Sequence, residues 1–301
     1  MLPIVHHPLY DAQTVPDKHR FPMRKYTLVA TLAAEMGLVG SQGLIRPVMA
    51  RESWLSLAHD PGYVDAVLHG KLTTDQQRRI GFEWTPAVAD RARASASGTL
   101  LAARLALEHG AAVNAAGGSH HASHEGGAGF CVFNDVAIAA RVLLHEGTVR
   151  QVLVIDCDVH QGDGTARIFA DESAVFTFSI HCEDNWPRDK PPSDLDVGLN
   201  RGTQDLEYNE ILQHSLDRVF SRVSPEIVFY NGGVDPHIDD RLGLLELTDA
   251  GLAARDAMVA EACASRHVPV VGVLGGGYGD DAEQVARRHL LMFRALSEIA
   301  G

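Results

Sequence analysis

The sequence predicts an α/β protein whose central, mostly parallel sheet is flanked by helices. Three observations carry that expectation. From residue 111 onward short β-branched apolar runs alternate with helix-length patterns, as strands joined by crossover helices do. The runs QVLVI and VPVVGVL are apolar on both faces, as befits strands buried between two helical layers. Several runs end in unusual polar or glycine-rich clusters, and in open α/β sheets ligands bind beyond the carboxyl ends of the strands.

Taken in order, the N-terminal third is mainly helical. Its clearest helix spans 86–108, with Thr85 as cap, Pro86 in the first helical position and Gly110 beyond the end. Strands are expected over 111–115, 151–155, 174–180, 226–230 and 268–274. Helices over 135–144, 206–223, 250–264 and 281–299 are long enough to serve as crossovers. The proline-rich stretch 187–192 reads as a surface or rim loop. No linker, repeat or low-complexity segment divides the chain, so one large domain over 1–301 is expected.

Composition narrows the function classes. With 46% hydrophobic and 22% charged residues and a mean hydropathy of -0.05, the chain is neither disordered, collagenous nor fibrous. No apolar stretch approaches the ~18 to 20 residues of a membrane span. The opening MLPIVHHPLYDAQ lacks a basic region followed by an apolar one, so a cytoplasmic protein is expected. Lys and Arg number 26 against 39 Asp and Glu, and the net charge of -13 opposes binding to nucleic acid while suiting cationic ligands. Cys131, Cys157, Cys182 and Cys263 form no C-x-x-C pair and read as reduced intracellular thiols.

Four clusters follow predicted strands: Gly117-Gly118-Ser119-His120-His121, Asp156 to Gly164, Asn231-Gly232-Gly233-Val234-Asp235 and Gly275-Gly276-Gly277-Tyr278. They should converge on one site. At a period of two, Asp156, Asp158 and His160 share one side of an extended chain, and Asp-x-His with another acid supplies ligands suited to zinc. With Asp235 as third ligand the set is one histidine and two carboxylates, leaving a position open for catalysis. The alternative is a capped turn in which Asp156 and Asp158 bond backbone amides. His120-His121 follows a buried strand and two glycines, with Asp156 and Asp163 available to hold the imidazole tautomers. Tyr278, after three glycines, can donate its hydroxyl to a tetrahedral oxyanion. A nucleotide loop and a serine hydrolase are unsupported, since neither G-x-x-x-x-G-K-[ST] nor G-x-S-x-G occurs.

With these motifs in place the chain resembles the zinc-dependent histone deacetylase family. In the segment His19 to Tyr26 (HRFPMRKY) it is most similar to the class IV group. The resemblance is carried by the clusters above, by Gly129-Phe130-Cys131 with Asn134-Asp135, and by Asp240-Arg241-Leu242-Gly243. It implies the three-layer fold of the arginase/deacetylase type, with zinc (or ferrous iron in the cell) on Asp158, His160 and Asp235. It also implies His121 as general base and then acid, His120 as its electrostatic helper, Asp156 and Asp163 behind the two imidazoles, and Tyr278 on the scissile carbonyl. A structural potassium ion would lie on Asp156, Asp158, His160, Ser179 and Ile180. Phe130 would wall the acyl-lysine channel, with Gly129 and Gly276 beside it and Trp186 opposite, although the loop 182–192 departs from the commoner pattern. Glu83 falls near the acid that in relatives grips the substrate backbone, with a solvated helix-start carboxylate as the alternative. Gln161 stands where other classes often carry a second histidine.

The implied activity is metal-dependent removal of an acyl group from the ε-amine of acyl-lysine in a protein or peptide. Rivals are a deacetylase of polyamines or other small amides, a binuclear manganese hydrolase on the same fold, and a catalytically silent binding module. The binuclear reading needs further ligands that the sequence does not offer, and retention of the ligands with Tyr278 opposes the silent one.

Overall fold

Runs of valine and isoleucine become the interior of one sheet. The computed structural model describes residues 1–16 and 19–301. In chain order its elements are β1 (Ile4–Val5), α1 (Lys25–Glu35), α2 (Glu52–Leu55), α3 (Pro61–Leu68), α4 (Thr74–Ile80), α5 (Pro86–His109), β2 (Ala111–Asn114) and α6 (Asp135–His145). They continue with β3 (Val152–Asp156), α7 (Asp163–Phe169), β4 (Val175–Cys182), β5 (Leu195–Leu199), α8 (Asp205–Phe220), β6 (Ile227–Asn231), α9 (Asp249–Ala264), β7 (Val270–Val273) and α10 (Ala282–Ser297). The seven strands are all parallel, in the order β1-β2-β7-β6-β3-β4-β5.

Successive residues of β3 face opposite sides of the sheet, and Val152, Leu153, Val154 and Ile155 are all at most 2% exposed. Both faces are therefore covered, as the uniform apolar run implied. Helices α5 and α10 both pack on β2 and β7, with α6 beside α5 and α1 and α9 beside α10. Helix α5 starts as expected, the Thr85 side chain accepting from the Val88 amide and Pro86 occupying the first position.

The five expected strands are present, and two more lie at the sheet edges. Strand β1 has only two residues, and β5 reads Leu-Asp-Val-Gly-Leu with Asp196 and Gly198 exposed. Strand β1, although buried, is too short to show a period, and β5 is half solvated and needs no continuous apolar run, so neither stood out. No helix among the described residues is long and apolar enough to cross a membrane.

The order of the central strands places the site. Asp156 at the end of β3 is paired with Ser179 of β4 on one side and Asn231 of β6 on the other. The segments leaving β2, β3, β6 and β7 thus emerge side by side at one end of the sheet.

Candidate active site

The loop after β3 turns so that its own backbone aims its carboxylates. Asp158 Oδ1 accepts from the His160 amide at 3.0 Å, Asp158 Oδ2 from the Gly276 amide at 2.6 Å, and Asp235 Oδ1 from the Val159 amide at 2.9 Å. His160 Nδ1 then lies 3.0 Å from Asp158 Oδ1 and 3.2 Å from Asp235 Oδ2. The three donor atoms lie within 4.8 Å of one another, and all three residues are buried. Gly276 is required here, because a Cβ on it would overlap Asp235 Oδ2.

No Lys or Arg side chain forms an ion pair with this acidic donor set among the described residues, and Asp158 and Asp235 pair only with histidines. Burial and the neighbouring Asp158 carboxylate raise Asp235 to about 7. Burial opposes charge on His160, yet Asp158 and Asp235 outweigh it and raise the imidazole to about 10. Two desolvated carboxylates aimed at one imidazole nitrogen call for a cation, and one nitrogen with two oxygens suits zinc or ferrous iron. The residues therefore fit the metal that the sequence implied.

Two further imidazoles stand beside the donor set. His120 Nδ1 lies 2.7 Å from Asp156 Oδ2, and His121 Nδ1 lies 2.6 Å from Asp163 Oδ1. A carboxylate accepts, so each Nδ1 carries the proton and each Nε2 is the free edge. Their environments drive them apart. Burial and the neighbouring His120 lower His121 to about 4, whereas for His120 the Asp156 and Asp158 carboxylates overcome the burial and raise it to about 9. His121 is thus the neutral acceptor and His120 the charged neighbour. Asp135 fixes the loop that carries them, its carboxylate accepting from the Ser119 amide at 2.8 Å and the Gly118 amide at 3.2 Å. Asn231 holds Asp156 from the other side at 2.9 Å.

Tyr278 packs across His160 with ring centroids 6.1 Å apart. Burial and the Asp158 and Asp235 carboxylates keep its phenol protonated, hence a donor. Asp240 accepts from the Tyr278 amide at 2.6 Å and Arg241 donates to its carbonyl at 3.0 Å, so the Asp-Arg motif fixes the backbone of the tyrosine.

A cavity of about 740 Å³ opens above these groups, with His121, His160, Tyr278, Gly129, Phe130 and Trp186 in its lining. Phe130 has a φ of 67°, a conformation that costs a bulky residue energy and is held here by the hydrogen bond its amide donates to the Ile80 carbonyl at 2.7 Å. Gly129, with φ of 53°, packs between His121 and Trp186, and the Trp186 ring meets His121 edge-on at 4.5 Å. The loop 187–192 follows Trp186 without itself lining the cavity, and it is tied down by Gln161, whose side chain donates to the Pro191 carbonyl at 2.8 Å and to Asp196 at 2.9 Å. Gly276 lines a smaller hollow deeper in the chain, together with Tyr26 and His120. Ser179 and Ile180 are buried on β4 beside the end of β3, although Ser179 Oγ lies 2.9 Å from His181 Nδ1. Glu83 is exposed between α4 and α5 and does not line the cavity.

Two residues of the site escaped the sequence reading. Arg255 on α9 is fully buried behind the donor set and donates to the carbonyls of Gly233 at 2.6 Å and Cys157 at 3.3 Å, while Asp256 neutralises it at 2.8 Å. It clamps together the two segments that carry Asp158 and Asp235. Lys25 on α1, also fully buried, donates to the Gly275 carbonyl at 2.9 Å from beneath. A signal for Arg255 did exist. Leu252, Arg255, Asp256, Val259, Ala260 and Cys263 follow the helical stripe i, i+3, i+4, i+7, i+8, i+11, so the Arg-Asp pair sits on the apolar face.

Known proteins are similar to this chain in sequence and in fold. The model of the histone deacetylase domain matches residues 19–295. An uncharacterized protein of Picosynechococcus sp. is 46% identical over 297 residues, covering 99% of each chain. Histone deacetylase 2 of Arabidopsis thaliana is 28% identical over 294 residues, covering 92% of this chain and 76% of that one. A crystal structure of an HDAC homolog complexed with SAHA superposes with a TM-score of 0.84 at 25% identity, over 99% of this chain and 84% of that chain. The match over nearly the whole chain, on a sheet that brings the histidine, aspartate and tyrosine clusters to one cavity, means that this chain belongs to the histone deacetylase family.

Proposed function

We propose that the chain is a metal-dependent amidohydrolase that removes an acyl group from the ε-amine of acyl-lysine. The observation that carries this reading is the meeting of the Asp158, His160 and Asp235 donors with the His121 imidazole and the Tyr278 phenol around one cavity. Asp158, His160 and Asp235 would hold the metal. Bound zinc, or ferrous iron, supplies Lewis-acid chemistry, polarising the acyl carbonyl and making water acidic near neutral pH.

The remaining work falls to the chain. His121, neutral and with Nε2 free, takes a proton from the attacking water as the C–O bond forms, and Asp163 stabilises the resulting imidazolium. Tyr278 donates to the oxyanion that develops on the carbonyl oxygen. His121 then returns the proton to the nitrogen as the C–N bond breaks, releasing a carboxylate and an amine. His120, held by Asp156, adds positive charge beside the reacting carbon and keeps His121 deprotonated until water delivers a proton. Phe130 and Trp186 supply apolar walls for the methylene stem of the lysine.

The finer assignments follow the same reading. The whole chain serves as one catalytic domain, and the segment His19 to Tyr26 supports the class IV group. The pairing of Asp156 with Ser179 supports a structural potassium ion on Asp156, Asp158, His160, Ser179 and Ile180. The four free, buried cysteines support a cytoplasmic location.

The test is a panel of lysine peptides and polyamines carrying acetyl to long fatty acyl groups, run on the metal-loaded chain. We expect hydrolysis with about one equivalent of tightly bound transition metal, whereas two equivalents needed for activity would revive a binuclear centre. Tyr278→Phe should slow single turnover ~10² to 10³-fold while substrate affinity and metal content change little. A variant as fast as the parent removes Tyr278 from the mechanism, and a parent inert toward every acylated amine favours a binding scaffold.

A further inference from the structure

The charge at the mouth of the cavity runs against that of the chain. The net charge is -13, yet the cavity lining includes Arg20, Arg78 and Arg79 against one carboxylate, Asp184. Arg78 and Arg79 come from the last turn of α4, where the carbonyls of Arg79 and Ile80 accept from the amides of Gly129 and Phe130. These arginines therefore ride on the segment that holds the Phe130 wall, whereas Asp184 stands beside the Trp186 wall. Arg79 forms no ion pair among the described residues. Arg78 pairs only with Asp75, both side chains being more than 70% exposed, and such a pair binds weakly. Their charge is available to a ligand.

Clustered cations at the mouth of a low-dielectric cleft attract anions and repel cations. We propose that the acylated lysine reaches this site on an acidic peptide segment, whose carboxylates beside the acyl-lysine meet Arg20, Arg78 and Arg79. Three exposed arginines in the lining of one cavity, Arg20 from one part of the chain and the adjacent Arg78 and Arg79 from another, match several carboxylates of a peptide segment better than one small anion. The same charges disfavour an acetylated polyamine, whose free amines are cationic. This inference rests on the deacylase reading and sharpens its substrate.

The experiment uses the metal-loaded full chain and peptides that differ only in three residues around the acyl-lysine, all Glu, all Gln or all Lys, with free Nε-acyl-lysine alongside. Each carries the acyl group cleaved fastest in the panel. At ~20 mM salt we expect kcat/KM for the Glu peptide to exceed that for the Lys peptide by about tenfold or more, converging at ~0.5 M. Arg78→Glu/Arg79→Glu should abolish or invert that ratio. Arg287→Glu/Arg294→Glu, an equal charge change at exposed positions of α10, should preserve it. The inference is overturned if the Lys peptide or free acyl-lysine is hydrolysed as well as the Glu peptide, or if both reversals shift the ratio equally. Absence of turnover with every peptide and polyamine would instead bring down the deacylase reading beneath it.

Discussion

At the floor of the cavity Asp158, His160 and Asp235 are 1%, 7% and 0% exposed, whereas at its mouth Trp186 is 46% exposed and Arg78 and Arg79 stand in solvent. Floor residues leave adjacent parallel strands, so their spacing is set by sheet register and by amides bonded to each carboxylate. Mouth residues come from a helix end and from loops, where few bonds fix a side chain. Floor substitutions should therefore change the chemistry by orders of magnitude, and mouth substitutions should change which substrate arrives.

The largest effect is expected at His121. With Nδ1 tied to Asp163 and no place in the donor set, His121→Ala should cut turnover by ~10² to 10⁴-fold, or more if one imidazole serves both proton transfers, while the metal stays bound. Elemental analysis beside the rate separates the outcomes. A folded variant that has lost its metal would mean that the histidine pair ligates, and the division of labour at the floor would be wrong.

Arg255 tests whether the floor is held from behind. Arg255→Met leaves Asp256 buried without its cation and frees the Gly233 and Cys157 carbonyls. Breaking a buried pair on one side typically costs about 3 to 5 kcal/mol. Urea unfolding should report a loss of that order, together with weaker metal retention at denaturant concentrations where the chain is still folded. A loss below about 1 kcal/mol would show that the clamp is dispensable and that the strands alone fix the ligands.

The same contrast explains what could be read in advance. Floor residues were legible because each directly follows a buried strand, and a strand's C-terminal end is where an α/β sheet gathers its chemistry. Asp158, His160, Asp235, His120, His121 and Tyr278 all obey that rule. Arg255 and Lys25 were missed because a basic residue within a helix ordinarily faces water. Here Arg255 shares the apolar stripe with its own neutralising aspartate, and Lys25 reaches a glycine-loop carbonyl. The mouth was the least legible. A net charge of -13 suggested a surface for cations, but net charge averages over the whole molecule, and no sequence pattern placed the end of α4 beside Phe130. That contact depends on the packing of the loop 119–134 against α4, which is tertiary.

Glu83 should give the smallest effect and the closest comparison, because the resemblance set it near the acid that holds the substrate backbone, against a solvated carboxylate at a helix start. Its side chain is exposed, does not line the cavity, and makes no hydrogen bond or ion pair among the described residues. Surface substitutions of this kind usually alter energies by no more than about 0.5 kcal/mol, which is roughly a twofold change in kcat/KM. Glu83→Gln should therefore leave hydrolysis of the neutral peptide within about twofold of the parent, with any gain on the acidic peptide erased by salt. A tenfold or greater rise in KM with unchanged kcat would mean that substrate draws the α4–α5 loop inward and that Glu83 closes on the peptide backbone. The mouth would then be as tightly specified as the floor once substrate is bound, and the division between a fixed floor and a permissive mouth would hold only for the free chain.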